Sequence, residues 1–195
     1  MTKSEKTRNF IIEKTIPIFI SKGYEGTSLS DIEGATSLSK GSIYGNFANK
    51  EEVILAVLDH ILLEVNATID REVKMNISSA EKILVFGKLF NKCADLIQPA
   101  IHNASLDPGD IHTRLRQKAV TALNGWKLQL ADIIKNGIES GEFRDDVDAE
   151  EAAFTLMALI EGGNMISRLA GKTLCKSVFM KSIGDYIDSM LFSHN

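Results

Sequence analysis

Residues 27–50 read Thr-Ser-Leu-Ser-Asp-Ile-Glu-Gly-Ala-Thr-Ser-Leu-Ser-Lys-Gly-Ser-Ile-Tyr-Gly-Asn-Phe-Ala-Asn-Lys. Two helices of about two turns fit this stretch, joined by a break over Thr36 to Ser39. Ser28 with Asp31 three residues on makes a capping box for the first, and Ser39 can cap the second, over Lys40 to Phe47. Leu29, Ile32, Ala35, Leu38, Ile43 and Phe47 form the inward set. Ser39, Lys40, Gly41, Ser42, Tyr44, Gly45 and Asn46 form the outward one. A short second helix with an exposed, hydrogen-bonding edge is what a helix-turn-helix inserts into a major groove. Gly41, Ser42 and Gly45 would let its backbone come close to DNA. By spacing alone, a plain helical hairpin with a polar face fits equally.

Working outward, helical punctuation continues in both directions. The first helix is predicted from about Ser4 to Lys22, with Gly23 at its C′ position. Pro17 inside it predicts a kink. Asn49 with Glu52 opens a long helix to about Lys74, and Ser78 with Glu81 opens another to about Gln98. A short irregular helix is expected over Pro99 to Leu106. Asp107-Pro108-Gly109-Asp110 starts a helix that runs to Ser140, before Gly141. Asp148 caps a helix to Ala170, and a last one covers Thr173 to Phe192. No alternating stretch suggests strands. The fold class is therefore all-α, with about nine helices: a head over residues 1–47 and a larger regulatory and dimerisation body over 48–195.

Charge divides along the same line. Residues 1–50 hold seven lysines and arginines against five acids, whereas the remainder carries a balance of −6 within a net charge of −4. Only the N-terminal quarter suits a polyanion. The chain starts polar and charged, so no signal peptide is read. No run approaches the apolar length of a membrane span. Cys93 and Cys175 read as reduced core thiols, consistent with a cytoplasmic protein.

The run Thr27-Ser28-Leu29 with Asp31-Ile32, through Ser39-Lys40-Gly41-Ser42-Ile43-Tyr44-Gly45-Asn46-Phe47 and Asn49-Lys50-Glu51, resembles the N-terminal signature of the TetR family of repressors. Phe19, Gly23 and Tyr24 also match that family's end of helix one, and Gly141-Glu142-Phe143 agrees weakly further on. The resemblance implies a regulator that binds a palindromic operator in double-stranded DNA as a homodimer and responds to a ligand. It departs at Ser37, where the family has Gly in the tight turn, and at Pro17. A positive φ at Ser37 would cost about 1 kcal/mol or more.

Carried over residue by residue, Thr27, Ser39, Tyr44 and Lys50 suit phosphate contacts, and Lys40, Ser42 and Asn46 suit base edges. Each also has a plain reading: Ser39 as a helix cap, Tyr44 as partly core, Lys50 as a solvated lysine. The last two helices are apolar over more than one face, and the resemblance implies that they form a dimer interface. Phe86, Phe90, Cys93, Ile97, Trp126, Met157 and Asn164 could line a pocket for a small apolar or amphipathic ligand. An ordinary packed core would use the same residues.

Enzyme chemistry finds no foothold in the sequence. Gly171-Lys172-Thr173 lacks the upstream glycine of a phosphate loop, since position 166 is Ile166. The residues three before His60, His102, His112 and His194 are Val57, Pro99, Gly109 and Leu191, so no Glu-x-x-His motif exists. No metal or cofactor is expected. The competing non-enzyme reading is a helical adaptor without sequence-specific DNA binding.

Overall fold

The computed structural model describes residues 2–90, 110–170 and 172–191, the side chains of 110, 112, 168–170 and 172–177 excepted. Eight helices occur among them: α1 (Lys3–Gly26), α2 (Leu29–Thr36), α3 (Lys40–Tyr44), α4 (Lys50–Val73), α5 (residues 79–90), α6 (Asp110–Glu139), α7 (Ala149–Ala170) and α8 (Lys172–Met190). The one β feature among the described residues is an isolated antiparallel bridge between Phe143 and Leu191. The helix expected over 99–106 and the end of α5 near Gln98 lie outside the described residues. No helix among those described is long and apolar enough to cross a membrane.

Two compact units emerge. Of the described residues, 2–66 and 110–121 belong to the first, and the remainder to the second. Helices α4 and α6 each contribute to both.

The first unit is built on capping. Thr2 and Glu5 form a reciprocal capping box at the start of α1. The helical dihedrals then run through Pro17 and depart only at Gly23, with φ 67°. The kink expected at Pro17 is therefore displaced to Gly23. Proline's fixed φ is compatible with a helix, and Pro17 is exposed. The carbonyl its missing N–H leaves open can then bond to water. Ile11, Thr15 and Phe19 are fully buried along the inner face of α1.

Helix α2 packs Ile32 and Thr36 inward. Ala35, expected inside, is exposed. Thr36 takes the inward place because its hydroxyl donates to the Ile32 carbonyl at 2.7 Å, which satisfies the buried polar atom. Ser37 then turns the chain with φ 55° and ψ 24°. It is the one non-glycine residue with positive φ among those described.

The second unit is held at a junction around Gly141-Glu142-Phe143. Gly141 has φ 75°, which lets the chain reverse after α6. Glu142 then places both carboxylate oxygens on the start of α5, accepting from the Ser79 N–H at 2.7 Å and the Ala80 N–H at 2.8 Å. The Ser78 hydroxyl accepts from the Glu81 N–H at 3.1 Å, so three donors of that first turn are satisfied. Phe143 is fully buried. Its ring lies so close to Gly137 that a Cβ there would sit 2.3 Å away. Gly163 serves the α7–α8 packing in the same way, with the Phe179 ring 2.2 Å from where a Cβ would be.

Replacing Ser37 by Gly removes the left-handed penalty, partly offset by the greater freedom of the unfolded chain. We expect Ser37→Gly to stabilise the protein by roughly 0.5–1 kcal/mol, read as a higher urea midpoint at unchanged slope. An unchanged or lower midpoint would show that the turn costs nothing.

Candidate nucleic-acid interface

The edge singled out by the sequence is on the surface of the first unit. Ser39, Lys40, Gly41, Tyr44 and Gly45 are exposed, and Ser42 is half-buried. Ile43 and Phe47 sit beneath them, buried. Helix α3 is shorter than expected, ending at Tyr44, with a turn carrying the chain to α4. The Ser39 hydroxyl oxygen accepts from the Ser42 N–H at 3.3 Å, so it caps α3 and keeps its own proton to donate outward. The Lys40 ammonium lies 5.8 Å from the Tyr44 ring centroid. Tyr44 is 40% exposed, which disposes of a core role. A Cβ at Gly41 would meet no atom closer than the Ser39 hydroxyl at 4.0 Å. Packing within the chain does not call for glycine there, so the open backbone faces outward.

Lys50 is neither free nor buried. Its ammonium donates to the Tyr24 carbonyl at 3.2 Å and lies 4.3 Å from the Tyr24 ring centroid. This ties the start of α4 to the end of α1. Burial, with Glu51 and Glu25 nearby, pushes the Tyr24 phenol up.

Two of the expected contact residues have partners within the protein. Thr27 is fully buried, and its hydroxyl donates to the Gly23 carbonyl at 2.6 Å. It closes the end of α1 and has no group to offer a phosphate. Asn46 is half-buried. Its Nδ2 donates to the Ser42 carbonyl at 2.9 Å, and its Oδ1 accepts from the Ser4 hydroxyl at 3.2 Å. It joins α3 to α1.

The sequence reading missed the Arg8–Glu52 and Lys22–Asp31 ion pairs. Arg8 on α1 donates from Nη1 to the Asn46 carbonyl at 2.5 Å and from Nη2 to Glu52 Oε1 at 3.0 Å. Its guanidinium lies 4.0 Å from the Phe47 ring centroid. The other Glu52 oxygen accepts from the Ala48 N–H at 2.7 Å, and this bond first, then Arg8, holds the Glu52 carboxyl below its usual range. These partners stand 38 and 44 residues from Arg8, beyond the reach of any local pattern. Lys22 meets Asp31 at 2.6 Å, fastening α1 to α2. That contact, reinforced by Ser28, holds the Asp31 carboxyl well below the ordinary carboxylate range.

The five expected pocket residues that can be described lie in the second unit, and all are buried. Phe86 stacks on Phe90 at 5.5 Å, and Phe90 meets Trp126 edge-on at 4.5 Å. Met157 and Asn164 are 7% and 2% exposed on α7. Cys93 and Ile97 lie outside the described residues.

Comparison with known proteins matches residues 11–57 to the family of bacterial regulatory proteins of the tetR type. Residues 100–183 match the tetracyclin repressor-like C-terminal domain. A TetR-family transcriptional regulator from Cytophaga hutchinsonii is 38% identical, covers 98% of both chains and superposes with a TM-score of 0.87. The fatty acid metabolism regulator protein of Bacillus subtilis is 26% identical over 152 residues, 77% of this chain and 78% of its own. The regulator FadR from Bacillus subtilis in complex with stearoyl-CoA, at 21% identity, has the same fold, with a TM-score of 0.74 over 94% of this chain and 99% of its own.

Asp31 has a depressed pKa, so its contribution to stability is complete above the unfolded carboxylate value, about 4, and is lost as the pH falls through the depressed one. The urea midpoints of the wild type and Asp31→Asn should differ most near neutral pH and converge below about pH 4. A gap that stays constant into acid would mean that Asp31 acts through its shape and not its charge.

Proposed function

The chain belongs to the TetR family of transcriptional regulators, and from that membership we propose which of its residues meet DNA and what controls the encounter. It is a DNA-binding regulator and not an enzyme. The head, residues 1–47, carries α3 into the major groove. Lys40 and Ser42 face base edges, and the backbone at Gly41 closes on them. Ser39, Tyr44 and Lys50 hold phosphates on either side. The observation that carries this reading is the exposed polar edge Ser39–Gly45 above the buried Ile43 and Phe47.

The remainder, residues 48–195, regulates and dimerises. Phe154, Met165 and Ile166 on α7 and Val178 on α8 are 67%, 46%, 56% and 64% exposed. These bare apolar side chains support pairing with a second copy. Two-fold symmetry then calls for two half-sites about 34–36 Å apart, or a multiple of that. The protein works in the cytoplasm, where it represses its targets until a small apolar or amphipathic ligand is bound. The aromatic group Phe86, Phe90 and Trp126, with Met157 and Asn164, supports a site for that ligand. The fatty-acid role in the name of the Bacillus subtilis relative favours an acyl compound. A ligand bound more tightly by a conformation whose heads do not match the half-site spacing releases the operator.

Selection of the full-length protein against random duplexes should enrich a palindrome. Log K for it should fall steeply with log[salt], and Lys50→Ala in both heads should flatten that slope by about 1.8. No enriched sequence would sink the reading. Enrichment of a lone half-site would sink the dimer.

Trp126 is the sole tryptophan, 1% exposed. Titration with stearoyl-CoA should change its emission saturably and weaken binding to the selected duplex. An unchanged spectrum would take the aromatic group out of ligand binding.

A further inference from the structure

The reading helix α3 has five residues, too few to hold a helical conformation alone in water. Its position is therefore imposed by what grips its ends. Ser39 caps the first end from within the same segment. The far end is gripped from outside. Three successive residues there, Asn46, Phe47 and Ala48, are held by one ion pair. Arg8 takes the Asn46 carbonyl and covers the Phe47 ring, while Glu52 takes the Ala48 N–H. Arg8 belongs to α1 and Glu52 to the first turn of α4. The pair thus joins three helices through one guanidinium.

We infer that Arg8 is a positioning residue for DNA recognition: with Glu52 it fixes the reading helix to the start of α4, without itself touching DNA. The inference rests on the proposed role of α3. Both charged groups of the pair already have partners within the protein, and the guanidinium's flat fork is what reaches the carbonyl, the carboxylate and the ring together. A lysine at position 8 has a single ammonium and cannot reproduce that set. A displacement of the first turn of α4 reaches α3 through this link, because Glu52 moves with the helix and Asn46 follows Arg8. Misplacing α3 spoils base contacts, which need defined geometry. Phosphate attraction tolerates the shift.

The test compares Arg8→Gln, Arg8→Lys and Glu52→Gln with the wild type in the full-length protein. The ligands are the palindrome enriched in the selection and a random-sequence duplex of equal length. Thermal midpoints and circular dichroism are recorded alongside. Each variant should lose roughly tenfold or more in affinity for the palindrome. Affinity for the random duplex should change by less than about twofold. The salt slope should stay within about 0.9 of wild type per head, because no phosphate contact is removed. Arg8→Lys should fail to restore specificity although it keeps the charge. If Arg8→Gln does not fold, Glu52→Gln, which keeps the shape and loses only the charge, decides.

Equal losses on both duplexes, with rescue by lysine, would make Arg8 a phosphate contact and overturn the inference. Unchanged affinities would make the pair surface decoration. Failure of the wild type to select any duplex would instead strike the proposed function of α3, a distinct result.

Discussion

A helix of five residues cannot specify its own place, and the rest of the head is arranged around that limit. Its hydrogen bonds are too few to offset the entropy of ordering it. Burial of Ile43 and Phe47 supplies an anchor underneath. Caps and cross-links supply direction: Ser39 at one end, and Ser4, Arg8 and Glu52 at the other. The upper face is left exposed at Lys40, Gly41 and Tyr44. Economy of contact above and abundance below is how a small element can be both exposed and fixed.

Much of this was legible in the amino-acid order because its causes are local. The capping box at Ser28, the cap at Asn49, the glycine at 23, and the buried Ile32, Ile43 and Phe47 depend on neighbours within a turn or two. The strained turn at Ser37 was legible through the family resemblance, which has Gly where this chain has Ser. What escaped was the long-range part. Arg8 looks like any basic residue near the start of a chain until folding brings Asn46 and Glu52 to it. Thr27 and Asn46 were assigned to DNA because hydroxyls and amides are adaptable. Only the fold shows that each also has partners inside the protein, in Gly23, Ser4 and Ser42.

The second unit makes the same point with other residues. Gly141-Glu142-Phe143 carries little information as a motif, yet each member has a separate task. The glycine reverses the chain, the carboxylate finishes the first turn of α5, and the ring fills the space against Gly137. The N–H of Arg144 then donates to the Met190 carbonyl at 2.9 Å, which fastens the end of α8 to the same corner. Substituting any one of the three residues disturbs α5, α6 or α8 by a different route.

The hydroxyl of Ser4 resting on Asn46 has a practical corollary. It brings the first turn of α1 alongside the far end of the reading helix. A purification handle or fluorescent protein fused ahead of Thr2 would therefore emerge next to the surface that meets the double helix. Obstruction alone would lower the apparent affinity, so reagents for binding assays are better made without such a fusion.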